Sequence, residues 1–225
     1  MARGVGLNLL LLQLVALQQS PVRGINWGWI PSPLDENHNL LAAWYEVPTS
    51  IGYVVGERDT ILRTADGGAT WSDFSSGLGS RYVWYGVSFW NSTLGWVVGS
   101  YGKTLNTKDG GVTWYHQETP VSYELVSDVS SYEITIHDVA AASPTVVYLV
   151  GDAGNAFRTT DGGASWITMD LETPYDLYSC FFYNTSLGWI VGGLQDRVRK
   201  TTDGGLTWSS HYVGLADSIG TSVAA

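Results

Sequence analysis

Thr64-Ala65-Asp66-Gly67-Gly68-Ala69-Thr70-Trp71 is the stretch around which the rest of this 225-residue chain is organised. It returns as Thr107-Lys108-Asp109-Gly110-Gly111-Val112-Thr113-Trp114, Thr159-Thr160-Asp161-Gly162-Gly163-Ala164-Ser165-Trp166 and Thr201-Thr202-Asp203-Gly204-Gly205-Leu206-Thr207-Trp208. Successive tryptophans stand 43, 52 and 42 residues apart. A period of that length signals a repeat architecture with one supersecondary unit per period. The chemistry of the stretch says which unit. The Asp hydrogen-bonds its own turn backbone and the glycines accept positive φ, so the motif closes a tight hairpin. The Trp after it seals a sheet edge by burying a large apolar surface.

The same strand precedes each copy: Gly52-Tyr53-Val54-Val55-Gly56, Gly95-Trp96-Val97-Val98-Gly99, Val147-Tyr148-Leu149-Val150-Gly151 and Gly188-Trp189-Ile190-Val191-Gly192. Short apolar runs bounded by glycine read as strands buried on both faces. A longer β-rich run lies ahead of each, a short strand ends at the motif Thr, and a fourth strand contains the motif Trp. No segment after the N-terminal run carries a helical period, and 27 glycines with 14% charged residues suit a turn-dense chain.

The predicted fold is therefore all-β: a β-propeller of four-stranded antiparallel blades over 25–213, with blades at about 40–74, 82–116, 134–168 and 175–212. Four repeats make a small or an incomplete propeller. One period is longer by about nine residues, between Trp114 and Ile134. An insertion in a regular repeat marks a face on which function is often placed, which makes Glu118, Tyr123, Glu124 and Asp128 candidate binding residues.

Residues 1–20 read as a signal peptide cleaved somewhere in 16–24: a basic start, an apolar run from Val5 to Leu17, then polar residues. Residues 214–225 read as a flexible tail, and no membrane insertion is expected once the signal is removed. Asn91-Ser92-Thr93 and Asn184-Thr185-Ser186 are glycosylation acceptor patterns in the same register of two repeats, consistent with a secreted glycoprotein. A net charge of −10 argues against nucleic acid as a partner. The single cysteine, Cys180, stands where Val87 stands in the second repeat and reads as a small buried hydrophobe. Four scattered histidines show no ligand spacing, so no metal site and no cofactor are expected.

The motif [Ser/Thr]-x-Asp-Gly-Gly-x-[Thr/Ser]-Trp is that of the Asp-box, or BNR, repeat. With Gly-Trp-Val-Val-Gly ahead of it, the pattern from Leu40 to Trp208 most resembles the photosystem II assembly and stability factor family. Sialidase, xyloglucanase and sortilin-type propellers are more distant resemblances. The resemblance implies a seven-bladed, non-catalytic propeller that binds unassembled photosystem subunits in the thylakoid lumen. It also implies an arginine patch built from a basic residue just before the motif Thr. Here that position holds Arg63, Asn106, Arg158 and Lys200, so one repeat departs from the pattern.

Three functions are consistent with the residues. The first is a binding or scaffold propeller with a protein partner, or a glycan, using Arg63, Arg158 and Lys200. The second is a glycoside hydrolase, which needs two carboxylates about 5–5.5 or 6.5–9.5 Å apart. Glu118, Glu124, Asp128, Glu133 and Asp138 are the carboxylates outside the motif that could supply them. The third is an extracellular subunit, with copies joining edge to edge into a homo-oligomer that completes the ring. No catalytic residue is assigned. The motif residues Asp66, Trp71, Asp109, Trp114, Asp161, Trp166, Asp203 and Trp208 are expected to be structural.

Overall fold

The computed structural model describes residues 38–47, 49–121, 134–192 and 197–212. The expected signal peptide and tail lie outside the described residues, as do Tyr123, Glu124, Asp128 and Glu133.

Four antiparallel four-stranded sheets follow one another along the chain. The first contains β1 (Leu40–Glu46), β2 (Ile51–Gly56), β3 (Ile61–Thr64) and β4 (Ser72–Asp73). The second contains β5 (Trp84–Phe89), β6 (Gly95–Gly99), β7 (Thr104–Thr107) and β8 (Tyr115–Gln117). β9 (Ile136–Ala141), β10 (Val147–Gly151), β11 (Ala156–Thr159) and β12 (Ile167–Thr168) form the third. The fourth contains β13 (Leu177–Phe182), β14 (Gly188–Gly192), β15 (Arg197–Thr201) and β16 (Ser209–Tyr212). Each strand pairs with the next in sequence, so every sheet is a meander and a propeller blade. The first strands of the blades, β1, β5, β9 and β13, lie side by side in that order and form the inner rim.

The second strands are buried on both faces because alternate side chains serve different neighbours. Val97, Leu149 and Ile190 face the preceding blade, whereas Tyr53, Trp96 and Tyr148 face the following one. Three seams result. In the first, Tyr53 stacks on Phe89 at 3.8 Å; in the third, Tyr148 stacks on Phe182 at 3.4 Å. The middle seam exchanges volumes, with the larger Trp96 on one side and Ala141 in the register of the two phenylalanines. Close packing holds the sum of facing volumes, not each side chain, nearly fixed. Cys180 is buried in the third seam and pairs with Ile190 as Val87 pairs with Val97.

The fourth blade shows what the seams cover. Val55, Val98 and Val150 are 0% exposed, yet Val191, in the same register, is 40% exposed. Phe181 and Trp189 share that face, with ring centroids 6.1 Å apart.

Candidate functional site

The four Asp-boxes fold identically. Asp66 accepts hydrogen bonds from the Thr64 hydroxyl at 2.8 Å, the Thr70 amide at 2.9 Å and the Thr70 hydroxyl at 2.6 Å. The Gly68 amide donates to the Thr64 hydroxyl oxygen at 2.8 Å, with φ of 73° at Gly67 and 94° at Gly68. Asp109, Asp161 and Asp203 repeat the arrangement. Hydrogen bonds from the motif hydroxyl and amide hold the Asp66 and Asp161 carboxyls down at about 2, and lower those of Asp109 and Asp203 in the same way. Carboxylates so fully used as acceptors are poor proton donors at neutral pH.

The motif also joins blades. The Tyr53 hydroxyl donates to the Gly110 carbonyl of the next blade at 2.9 Å, and the Tyr148 hydroxyl reaches the Gly204 carbonyl at 3.3 Å. The motif tryptophans pack backwards: Trp114 Nε1–H donates to the Phe74 carbonyl of the blade before at 2.9 Å. Trp166 and Trp208 close against the second and third seams, and Trp71 is half-buried.

The three basic positions lie on three different blades; Arg63 and Arg158 project into blade seams, and Lys200 lies on the open face of the fourth blade. Arg63 donates from Nε to the Tyr53 hydroxyl at 3.0 Å, with its guanidinium 5.4 Å from the Phe74 ring centroid. Arg158 donates to the Gly204 carbonyl of the fourth blade at 2.7 Å. Lys200 lies 5.8 Å from the Trp189 ring centroid on the open face. Each cation pairs across the sheet with the aromatic of the second strand, as Tyr53–Arg63, Tyr148–Arg158 and Trp189–Lys200.

Of the candidate carboxylates, Asp138 accepts the Ser179 hydroxyl at 2.7 Å and the Cys180 amide at 2.9 Å, so it laces the third blade to the fourth. Burial raises its carboxyl above the ordinary range against those hydrogen bonds. Burial, with Asp138 beside it, also pushes the Cys180 thiol well up, which leaves it without thiolate reactivity. Glu118 is exposed and 3.1 Å from His116. Asn91 and Asn184 are exposed, and each accepts amides two and three residues on, holding its own turn.

Sequence reasoning missed a row on the inner rim. Every first strand is bulged at the same place, and the bulge leaves one residue out of register: Leu41, Tyr85, His137 or Tyr178. A bulge leaves a residue unpaired and re-aims its side chain. Here it takes each out of the alternation that serves the seams. The rings of Tyr85 and His137 lie 5.8 Å apart, and those of His137 and Tyr178 lie 5.5 Å apart. His137 Nε2 is 2.6 Å from Asp152 Oδ1, while Asp152 Oδ2 accepts the Thr135 amide. Burial raises the Tyr85 phenol, followed by the carboxylates of Glu57 and Asp152. The signal was in the second glycine of Gly-x-Val-Val-Gly. A Cβ on Gly99 would stand 2.0 Å from the Val83 carbonyl oxygen, and one on Gly151 would stand 2.2 Å from that of Thr135.

A family profile described as Photosynthesis system II assembly factor YCF48 matches residues 23–117 and 128–211. The chain belongs to that family. Among solved structures, it is similar to YCF48 bound to D1 peptide, at 23% identity and a TM-score of 0.61, covering 78% of this chain and 56% of that one. It is also similar to YCF48 from Cyanidioschyzon merolae, at 22% identity and a TM-score of 0.59, covering 82% and 59%. The chain thus spans less than two thirds of both YCF48 structures. The GH74 enzyme of Niastella koreensis shares the fold at 16% identity and a TM-score of 0.60, over 76% of this chain and 30% of that enzyme. No curated protein sequence matches. Within this frame the Asp-boxes are blade junctions, and the inner-rim row changes residue type from blade to blade while its bulge stays the same.

Proposed function

We propose that this YCF48-family chain is a non-catalytic scaffold that holds a peptide segment of an unassembled photosystem subunit. The observation that carries the reading is the family match over 23–117 and 128–211. A structurally similar YCF48 is described as bound to D1 peptide, which makes an extended segment of a membrane subunit the first partner to test. The chemistry agrees. Asp66, Asp109, Asp161, Asp203 and Asp138 are committed to holding turns and blades, a use of carboxylates that suits a frame.

In this reading the compartment is the thylakoid lumen, and the N-terminal apolar run begins an export address rather than an extracellular destination. The basic positions contribute unequally to binding. Arg63 and Arg158 are bonded within seams, so Lys200 is the cation available to a partner on the fourth blade.

The test uses the purified chain and overlapping synthetic peptides that span D1, read by fluorescence anisotropy. Saturable binding of at least one D1 peptide, weakened by Lys200→Glu if the basic position takes part, is the expected result. Turnover of xyloglucan with no D1 peptide bound would overturn the scaffold reading. Localisation of a full-length fluorescent fusion outside the plastid would overturn the compartment.

A further inference from the structure

The row Leu41, Tyr85, His137 and Tyr178 differs from the rest of the repeat in three ways. First, it arises from a backbone device, the bulge, present in all four inner strands at the cost of four glycine positions held against carbonyls. Second, three of the four bulged residues are aromatic, and two remain open: Tyr85 is 36% exposed and Tyr178 59%. These residues lie on the first strands of three successive blades. Third, the row is edged by carboxylates. Asp152 holds His137, Asp176 accepts the Ala153 amide at 3.0 Å, and Glu57 acts with Asp152 on the Tyr85 phenol.

The ring geometry narrows the ligand. Neighbouring planes are inclined by 76° and 53°, one pair edge to face and the other tilted, so the row presents no flat platform on which successive sugar rings could stack. Inclined rings with carboxylates beside them suit a cationic side chain, which takes attraction from a ring face and from the acid together. The spacing of 5.5–5.8 Å is also close to the repeat of alternate residues on one face of an extended peptide, about 6.5 Å. The chain's net charge of −10 adds a long-range field of the same sign.

We propose that Tyr85, His137 and Tyr178 form a docking strip for an extended peptide segment carrying Lys or Arg side chains on alternate residues. This rests on the scaffold reading above and names the chemistry of the segment and the place it lies. It assigns binding to the inner rim, away from the seam positions Arg63 and Arg158.

The test separates the two claims. The probes are a fluorescein-labelled decapeptide of alternating alanine and lysine and its alanine–glutamate counterpart, titrated by anisotropy at 50 mM and 300 mM NaCl. The lysine peptide should bind, weaken with salt, and lose at least fivefold in affinity in Tyr85→Ala/Tyr178→Ala. Tyr85→Phe/Tyr178→Phe, which keeps the rings, should retain binding within twofold. The glutamate peptide should bind at least tenfold more weakly. Both tyrosines are exposed, and a far-ultraviolet spectrum and melting temperature unchanged in the double Ala variant would confirm its fold. Should that variant unfold, Tyr178→Ala alone carries the test, with at least a twofold loss expected. Equal binding of the two peptides, or full affinity in the folded Ala variant, overturns the strip. If D1 peptides still bind that variant undiminished, the scaffold reading stands and only the placement falls.

Discussion

Adjacent phenylalanines on β13 provide a controlled test of how the blades are held. Phe182 is 8% exposed, stacks on Tyr148 at 3.4 Å and 4°, and meets Trp208 edge-on at 6.3 Å and 89°. Phe181, one residue away and on the opposite face, is 62% exposed and touches Trp189. Truncating a buried phenylalanine costs about 3–5 kcal/mol, from lost transfer energy plus the cavity left in a close-packed seam. Phe182→Ala should therefore lower the stability of the fourth blade by about that amount, whereas Phe181→Ala should change it by within about 1 kcal/mol. With a urea slope of about 3 kcal/mol/M, the first substitution moves the midpoint by about 1–1.7 M and the second by less than about 0.4 M. The assay is equilibrium urea unfolding followed by tryptophan fluorescence and, separately, by circular dichroism. Trp208 and Trp189 lie on opposite sides of the same sheet and report on it directly. Equal shifts for the two variants would refute the assignment of a covered and an open face. A shift under 0.3 M for Phe182→Ala would refute the claim that the aromatic stack carries the third seam.

Three further outcomes follow from the same geometry. Tyr148→Phe keeps the stack but removes the hydroxyl that donates to the Thr185 carbonyl at 2.9 Å, so it should cost about 1–2 kcal/mol in the same urea assay. Gly99→Ala places a Cβ 2.0 Å from the Val83 carbonyl oxygen and should cost about 1–3 kcal/mol by forcing the bulge apart; its melting temperature should fall while Tyr178→Ala leaves that temperature unchanged. Acid unfolding should be driven by the Asp-boxes. Their carboxyls are depressed in the folded chain, to about 2 for Asp66 and Asp161, so the stability they supply is complete above the unfolded value of about 4 and is lost as pH falls towards 2. An Asp66→Asn/Asp161→Asn variant should lose stability at pH 6 and show a shallower decline between pH 4 and 2, measured by urea midpoints at each pH.

The motif and the blades could be read from the sequence because their causes are local. A turn that needs positive φ at Gly67 and Gly68 and an acceptor at Asp66 leaves its signature within eight residues. Double-sided burial likewise appears as an unbroken apolar run. The basic positions were legible as a register but not as a function. Seeing that Arg158 reaches the Gly204 carbonyl requires the neighbouring blade, 46 residues away in sequence. The cross-strand pairing of Arg63 with Tyr53 and Arg158 with Tyr148 was a usable hint, since a stem laid along a ring is directed into the seam. The bulges were hidden for a different reason. A strand read with period two assigns every residue to one face or the other, and a bulged residue belongs to neither.

That distinction separates what supports the fold from what faces a partner. Tyr53, Tyr148, Phe89, Phe182, Trp114, Trp166 and Trp208 each join one blade to another, and the Gly110 and Gly204 carbonyls receive the tyrosine hydroxyls, so replacing one of those side chains should be felt across a seam. Tyr85, His137 and Tyr178 sit where the backbone has left the ladder, and their side chains lie outside the three buried seam clusters. The repeat therefore gives the chain four equivalent rim positions that can change without unmaking the blades. Leu41, Tyr85, His137 and Tyr178 differ from one another while the bulge beneath them stays the same. His137 is further hydrogen-bonded to Asp152 in the turn of its own blade, at 2.6 Å, which fixes the middle ring between its two neighbours. His137 itself is half-buried, so the restraint sets its ring between two more open ones. A row that must present rings at set distances to a ligand would need it, and for that reason the rim, rather than the motif that announces the fold, is where binding belongs.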